Sequence, residues 1–245
     1  MKFIGIIPSR YASTRFPGKP LAIIKGKSMI QRVWEQASKS LETVVVATDN
    51  NKIFEHVKNF GGKVVMTSKL HKTGTDRCHE ALKIFSEKEN KKYDVVINIQ
   101  GDEPYISPSS IDLLKNCFTD KKTEIATLIK KETNIEELNS PNTIKTIIDK
   151  KNFAIYFSRS IIPYIRGFKQ EDWTSKHNFF KHIGIYSYKT NILEQIINLE
   201  QTPLEISESL EQNRWLENGL KIKTAITSQE SISIDTPEDL KKIPI

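Results

Sequence analysis

The stretch Lys2–Pro20, KFIGIIPSRYASTRFPGKP, decides the fold. Its first part, Phe3 to Ile7, is a short apolar run closed by Pro8, and at the head of an α/β chain such a run reads as a buried parallel strand. Ser9, Arg10, Ser13, Thr14, Arg15, Gly18 and Lys19 then form a polar, cation-rich loop at the carboxyl end of that strand. Open parallel sheets bind ligands there. Arg10, Arg15 and Lys19 set three fixed positive charges within ten residues. Arginine offers phosphate oxygens a planar fork and lysine a point charge, so the loop suits a polyphosphate. Charge alone would fit a solvated basic loop equally well; the order R-x-x-S-T-R-x-P-G-K directly after a strand argues for the ligand.

Outward from this loop, strands and helices alternate at close intervals. Ser28 is placed to cap a helix with Met29, Ile30, Val33 and Ala37 at helical spacing, and Thr43 to Thr48 reads as a second buried strand. Asp49 or Asn50 caps the next helix, Gly61-Gly62 ends it, and Lys63 to Met66 and Asp94 to Ile99 are further strands. The pattern predicts βαβ units and a mainly parallel sheet. HKTGTDRCHEAL, residues 71–82, places hydroxyls and a glycine ahead of a helix whose free N–H groups can meet a base edge, ribose or phosphate; Thr75 serving only as the cap is the plainer alternative. His71 and His79 lack partners at ligand spacing and read as surface residues. Gln100-Gly101-Asp102-Glu103-Pro104 follows the Asp94–Ile99 strand, where a carboxylate can hold Mg²⁺ together with phosphate oxygens. Asp102 is favoured over Glu103, since neighbours in an extended segment point opposite ways.

After residue 130 the alternation fades, and the aromatic, β-prone FAIYFSRSIIP (residues 153–163) suggests a lobe over the sheet edge. In KHIGIYSY, residues 181–188, His182, Gly184 and Tyr186 share one strand face, the glycine leaving room for a ligand between the two rings. With Arg159 and Arg166, they suit an acidic, polyhydroxylated sugar. Ser207 is read as the cap of the helix carrying Glu211 and Gln212, and Asp235 as the cap of the last helix, with Pro237 in its first turn.

Composition narrows the class. The chain has 245 residues and a formal net charge of +7, with lysines spread throughout and no RNP motif, zinc finger or aromatic-basic stripe. Nucleic acid is therefore not the expected partner. No run approaches the roughly 18 apolar residues of a membrane span, and Pro8-Ser9-Arg10 ends the first apolar run too early for a signal peptide; a cytoplasmic protein is expected. Cys78 and Cys117 form neither a CxxC nor a Cys/His cluster and read as buried thiols.

The wording PSRYASTRFPGKPL resembles the 3-deoxy-manno-octulosonate (Kdo) cytidylyltransferases among the sugar-activating nucleotidyltransferases. The resemblance continues in order through TGT, QGDEP, FSR, IP-x-x-R, HIGIY, LEQ-x-R and IDTPEDL, nearly the whole chain. It implies a Rossmann-like α/β nucleotidyltransferase fold over residues 1–245, with a nucleotide core at about 1–130 and 220–245 and a smaller sugar-binding and dimerisation lobe at about 131–219. The implied reaction uses CTP and Kdo to make CMP-Kdo and pyrophosphate for lipopolysaccharide synthesis. The nucleotide residues would be Ser9, Arg10, Arg15, Lys19, Thr73, Gly74, Thr75 and Gln100. Gln100, Arg159, Arg166, His182, Tyr186, Glu211 and Gln212 would surround the sugar. Arg10, Lys19, Asp102 and Asp235 would be catalytic, the two aspartates on Mg²⁺, with a second Mg²⁺ on the β- and γ-phosphates. A homodimer is implied as well. Phe16 where leucine is usual, Ser28, and the unfamiliar segment 168–178 depart from the pattern. An 8-amino analogue of Kdo, sialic acid, and a binding module without turnover are the competing readings.

Overall fold

Buried apolar side chains make β1 (Phe3–Ser9) a central strand, with Ile4, Ile6 and Ile7 fully buried. The computed structural model describes residues 1–12, 15–230 and 233–242; Ser13 and Thr14 of the cation-rich loop lie outside the described residues. A two-residue hairpin, β2 (Ile23–Ile24) with β3 (Lys27–Ser28), leads into α1 (Met29–Ala37). The Gln31 amide donates to Ser28 Oγ at 3.2 Å, and α1 buries Met29, Ile30, Val33 and Ala37, as their spacing predicts. β4 (Val44–Thr48) is buried at every position, and Asn50 caps α2 (Asn51–Asn59). β5 (Lys63–Met66), α3 (Gly74–Glu89), β6 (Val95–Asn98) and α4 (Pro108–Cys117) follow.

The chain divides into two units: residues 1–112 and 187–197 with the described residues from 230 onward, and residues 113–186 with 198–229. In the first unit β1 pairs in parallel with β4 on one side and β6 on the other, and β5 extends the sheet beyond β4. This is the parallel sheet expected from the alternation. Its strands point their carboxyl ends, at Ser9 and Asn98, toward the loops that carry Arg10–Lys19 and Gln100–Asp102.

The second unit contains β7 (Ile125–Glu132), α5 (Ile135–Asn139), β8 (Lys145–Ile148), β9 (Ala154–Ser158), α6 (Trp173–Lys176) and most of β10 (Phe179–Lys189). After α7 (Thr190–Ile196), which belongs to the first unit, it resumes with α8 (Pro203–Glu208), α9 (Glu211–Glu217) and β11 (Ile222–Ile226). The boundaries differ from the expected ones for two reasons of pairing. β7 and β11 pair in parallel with each other, from Ile125–Ile222 to Ile129–Ile226, so both stay in the second unit. Residues 187–197 join the first, where the Thr190 amide donates to the Asp94 carbonyl at 3.0 Å.

β10 lies beside β7 and pairs antiparallel with β8, which pairs antiparallel with β9. Lys145 is fully buried, and its ammonium donates to the carbonyls of Ser140, Thr143 and Arg159, which satisfies a charge that burial would otherwise make costly. Ser207 lies inside α8 and is not the cap of the next helix; Leu210 stands at the N-cap of α9 and gives no side-chain cap. Asn218 ends α9, and Gly219, at φ 80°, turns the chain away.

Candidate active site

The loop after β1 folds back on itself: the Gly18 amide donates to the Tyr11 carbonyl at 3.1 Å, and Gly18 adopts φ 71° before a single 3₁₀ turn at Lys19–Leu21. That left-handed position favours glycine, and it aims Lys19 back over the sheet end. Gly101 is required for a different reason, since a Cβ there would lie 3.0 Å from both the Pro8 carbonyl oxygen and Ser9 Oγ. The loops leaving β1 and β6 therefore touch. The Asp102 carbonyl accepts the Ile234 amide at 2.9 Å, which brings the IDTPEDL segment to the same place.

Four predicted side chains meet here. Lys19 Nζ lies 2.7 Å from Asp102 Oδ2 and 3.3 Å from Asp235 Oδ1, and Arg15 Nη2 lies 3.1 Å from Asp235 Oδ1. Asp235 is not the helix cap. Asp239, inside the 3₁₀ helix Pro237–Lys242, reaches back to accept the Asp235 amide at 3.0 Å and the Thr236 amide at 2.9 Å, while the Asp235 carboxylate meets the cations. Glu103 is buried, whereas Asp102 reaches the cavity, as the choice between them anticipated.

A cavity of about 340 Å³ opens at this end of the first unit. Ser9, Arg10, Arg15, Lys19, Thr73, Gly74, Gln100, Asp102 and Asp235 all line it. Ser9 Oγ is buried and has no hydrogen-bond partner among the described residues. Thr75 is absent from the wall and buried in the first turn of α3. The cap of α3 is Thr73, in a reciprocal arrangement: Thr73 Oγ1 accepts the Asp76 amide at 3.1 Å and Asp76 Oδ2 accepts the Thr73 amide at 3.3 Å.

Sequence reasoning missed Arg77 and His71, both on the wall. Arg77 is buried, with Nη2 2.8 Å from Asp49 Oδ2 and Nη1 2.6 Å from Thr67 Oγ1. His71 is no isolated surface residue; its Nε2 lies 2.6 Å from Glu80 Oε2, and Glu80 also accepts the Ser68 amide at 2.7 Å. Burial raises the Glu80 pKa, but the Ser68 amide and His71 outweigh it and hold the carboxyl below its ordinary value.

In the second unit His182, Tyr186 and Glu211 come together. The His182 and Tyr186 rings are 5.2 Å apart between centroids, so they pack on each other across Gly184 and enclose no ligand-sized gap. Phe157 meets His182 edge-on at 5.1 Å, and Trp215 meets Tyr186 at 5.0 Å. Loss of solvent around the ring pushes the His182 pKa down to about 3, although the residue keeps part of its surface accessible. Burial, then the Glu211 carboxylate, raises the Tyr186 phenol well above its ordinary value. Gln212 is buried in the first turn of α9. Arg159 is engaged elsewhere, donating to the Glu208 carbonyl at 2.7 Å and the Pro141 carbonyl at 2.8 Å, while Arg166 is exposed.

A family model described as Cytidylyltransferase matches residues 4–222. The 3-deoxy-manno-octulosonate cytidylyltransferase of Parabacteroides distasonis is 57% identical, covering 99% of this chain and 96% of its own length. The chain belongs to the 3-deoxy-manno-octulosonate cytidylyltransferases. The protein of the same name from Fusobacterium nucleatum is 47% identical over 99% of this chain and 96% of its own. A solved structure of CMP:2-keto-3-deoxy-manno-octonic acid synthetase complexed with CTP superposes with a TM-score of 0.89 at 38% identity, covering 99% of this chain and 96% of that one.

For a cytidylyltransferase the donor set at Asp102 and Asp235 fits Mg²⁺. Two carboxylates from distant segments converge on one cationic group, the Lys19 ammonium. Mg²⁺ accepts one or two carboxylates and completes its shell with water and phosphate oxygens. Among the described residues no group of three or more His, Cys, Asp or Glu could hold a metal alone. Cys78 and Cys117 are buried free thiols, and burial raises the Cys117 pKa to about 11. No described helix is long and apolar enough to cross a membrane.

Proposed function

We infer that the chain transfers CMP from CTP to the anomeric 2-hydroxyl of Kdo, giving CMP-Kdo and pyrophosphate. The hydroxyl oxygen forms a new bond to the α-phosphorus, the bridging P–O bond to the β-phosphate breaks, and the hydroxyl proton leaves. The observation that carries this reading is the meeting of Arg15, Lys19, Asp102 and Asp235 in the cavity after β1 and β6. Phosphoryl-type transfer needs chiefly in-line positioning and neutralised charge, and the cations and carboxylates gathered here are groups suited to the second need.

Arg10, Arg15 and Lys19 take the triphosphate. Lys19 and Arg15 neutralise the two aspartates before a nucleotide arrives and turn to the phosphates afterwards, so the carboxylates are free when the substrate's own charge enters. Asp102 and Asp235 would hold Mg²⁺, which when bound steadies the α-phosphate and acidifies the attacking hydroxyl. Gly74, at the start of α3, offers its backbone N–H to the nucleoside, and Thr73, Ser9 and Gln100 line the same cavity. His182, Tyr186 and Glu211 are read as the sugar's polar contacts. A homodimer would form through the second unit, whose exposed Ile155, Tyr164, Ile206 and Ile226 give it apolar side chains to bury. Pyrophosphate release with CTP, Mg²⁺ and Kdo tests the reaction; release with sialic acid but not with Kdo would overturn the sugar assignment.

A further inference from the structure

Thr127 sits on β7 inside the apolar run IATLI and is fully buried, so its hydroxyl must find partners within the protein. Four groups surround it: the Ile185 carbonyl oxygen at 2.8 Å, the Ile183 carbonyl oxygen at 3.3 Å, His182 Nε2 at 2.9 Å and the Tyr186 phenol. A threonine hydroxyl has one proton to give and two lone pairs to receive with. Carbonyl oxygens only accept, so that proton goes to Ile185, and the two lone pairs of the hydroxyl oxygen are left to accept from the imidazole and from the Tyr186 phenol. His182 is therefore protonated at Nε2. A neutral imidazole carries one N–H, so its Nδ1 is an acceptor.

Nδ1 makes no hydrogen bond among the described residues, while Phe157 and Tyr186 pin the ring from two sides. The residue keeps accessible surface, so the acceptor is left for something from outside. We propose that Thr127 is a positioning residue for the acidic sugar: its hydroxyl holds His182 in the Nε2–H tautomer, so that Nδ1 accepts a hydrogen bond from a sugar hydroxyl. This rests on His182 being a sugar contact. It assigns a role to a residue within a β-strand whose own side chain does not reach the substrate. The low basicity of the buried ring keeps the imidazole neutral, as the tautomer requires.

The test combines a spectroscopic and a kinetic readout on the full chain. A long-range ¹H–¹⁵N correlation spectrum of ¹⁵N-histidine-labelled protein shows which His182 nitrogen is protonated, and steady-state kinetics give KM separately for Kdo and CTP. The wild type shows Nε2–H. Thr127→Val, which keeps the shape and removes the hydroxyl, loses that preference and raises KM for Kdo about tenfold, the size of one hydrogen bond, with KM for CTP unchanged. Thr127→Ser restores both. An Nδ1–H wild type overturns the proposal whether or not the valine variant folds. So does an unchanged KM for Kdo in Thr127→Val when His182→Ala raises it, an outcome that leaves His182 a sugar contact. An unchanged KM in His182→Ala removes the sugar reading of His182 and the proposal with it.

Discussion

Replacing His182 with glutamine should remove a specific part of the protein's acid sensitivity. In the unfolded chain a histidine takes up its proton near 6.5, whereas burial holds the folded His182 near 3. Between those values the unfolded chain binds the extra proton and the folded chain does not. The stability contributed by keeping this ring neutral is therefore complete above about pH 6.5 and drains away as pH falls toward about 3, at up to about 1.4 kcal/mol per pH unit. From pH 7 to pH 5 the loss comes to about 2 kcal/mol, and a folded pKa one unit higher hardly changes it, because pH 5 would still lie above that value. His182→Gln keeps an amide N–H that can donate to Thr127 but has no proton to gain. Urea unfolding at pH 7 and pH 5, followed by tryptophan fluorescence, should show the wild type losing about 2 kcal/mol more than the variant. Equal losses would mean that the ring titrates alike in the folded and unfolded chains, and the argument from burial would be wrong.

Asp102→Asn should lower kcat about 10²-fold or more at saturating Mg²⁺, since the neutral amide cannot supply the charge that the metal needs; a kcat near that of the wild type would take Asp102 off the metal. Lys19→Met removes both the ammonium that the two aspartates share and a charge aimed at the triphosphate. Turnover should fall or KM for CTP rise, and nucleotide-free binding of Mn²⁺, read by electron paramagnetic resonance, should tighten because the carboxylates have lost their internal counter-ion. If none of the three quantities moves, Lys19 is a solvated loop charge.

How much of this was legible in the sequence depends on the distance over which each feature is decided. Local patterns read well: Ser28 and Asn50 cap the helices they precede, and β4 is buried throughout as its unbroken apolar run requires. Each depends on neighbours a few residues away, where spacing and backbone chemistry act directly. The errors lie where a distant partner decides. Asp235 had every local qualification for a cap, yet its carboxylate is drawn to cations 216 and 220 residues earlier in the chain. His71 looked unpartnered because Glu80 sits nine residues on, a spacing that no single helix or strand brings together; a loop bend ahead of α3 does so.

Gly184 carries the same lesson in the other direction. On an ideal strand it separates His182 from Tyr186, and the alternation of faces leads to a gap for a ligand. In the fold the two rings lean together, although a Cβ at Gly184 would stand in open space, and Phe157 and Trp215 close around them. Contact between the rings changes what the pair can do chemically. Two rings flanking a gap could each turn to suit a substrate, but packed rings hold one orientation. The proton positions on them must then be set by the protein beforehand. Thr127, an unremarked hydroxyl in an apolar run of β7, is in the place from which that can be done.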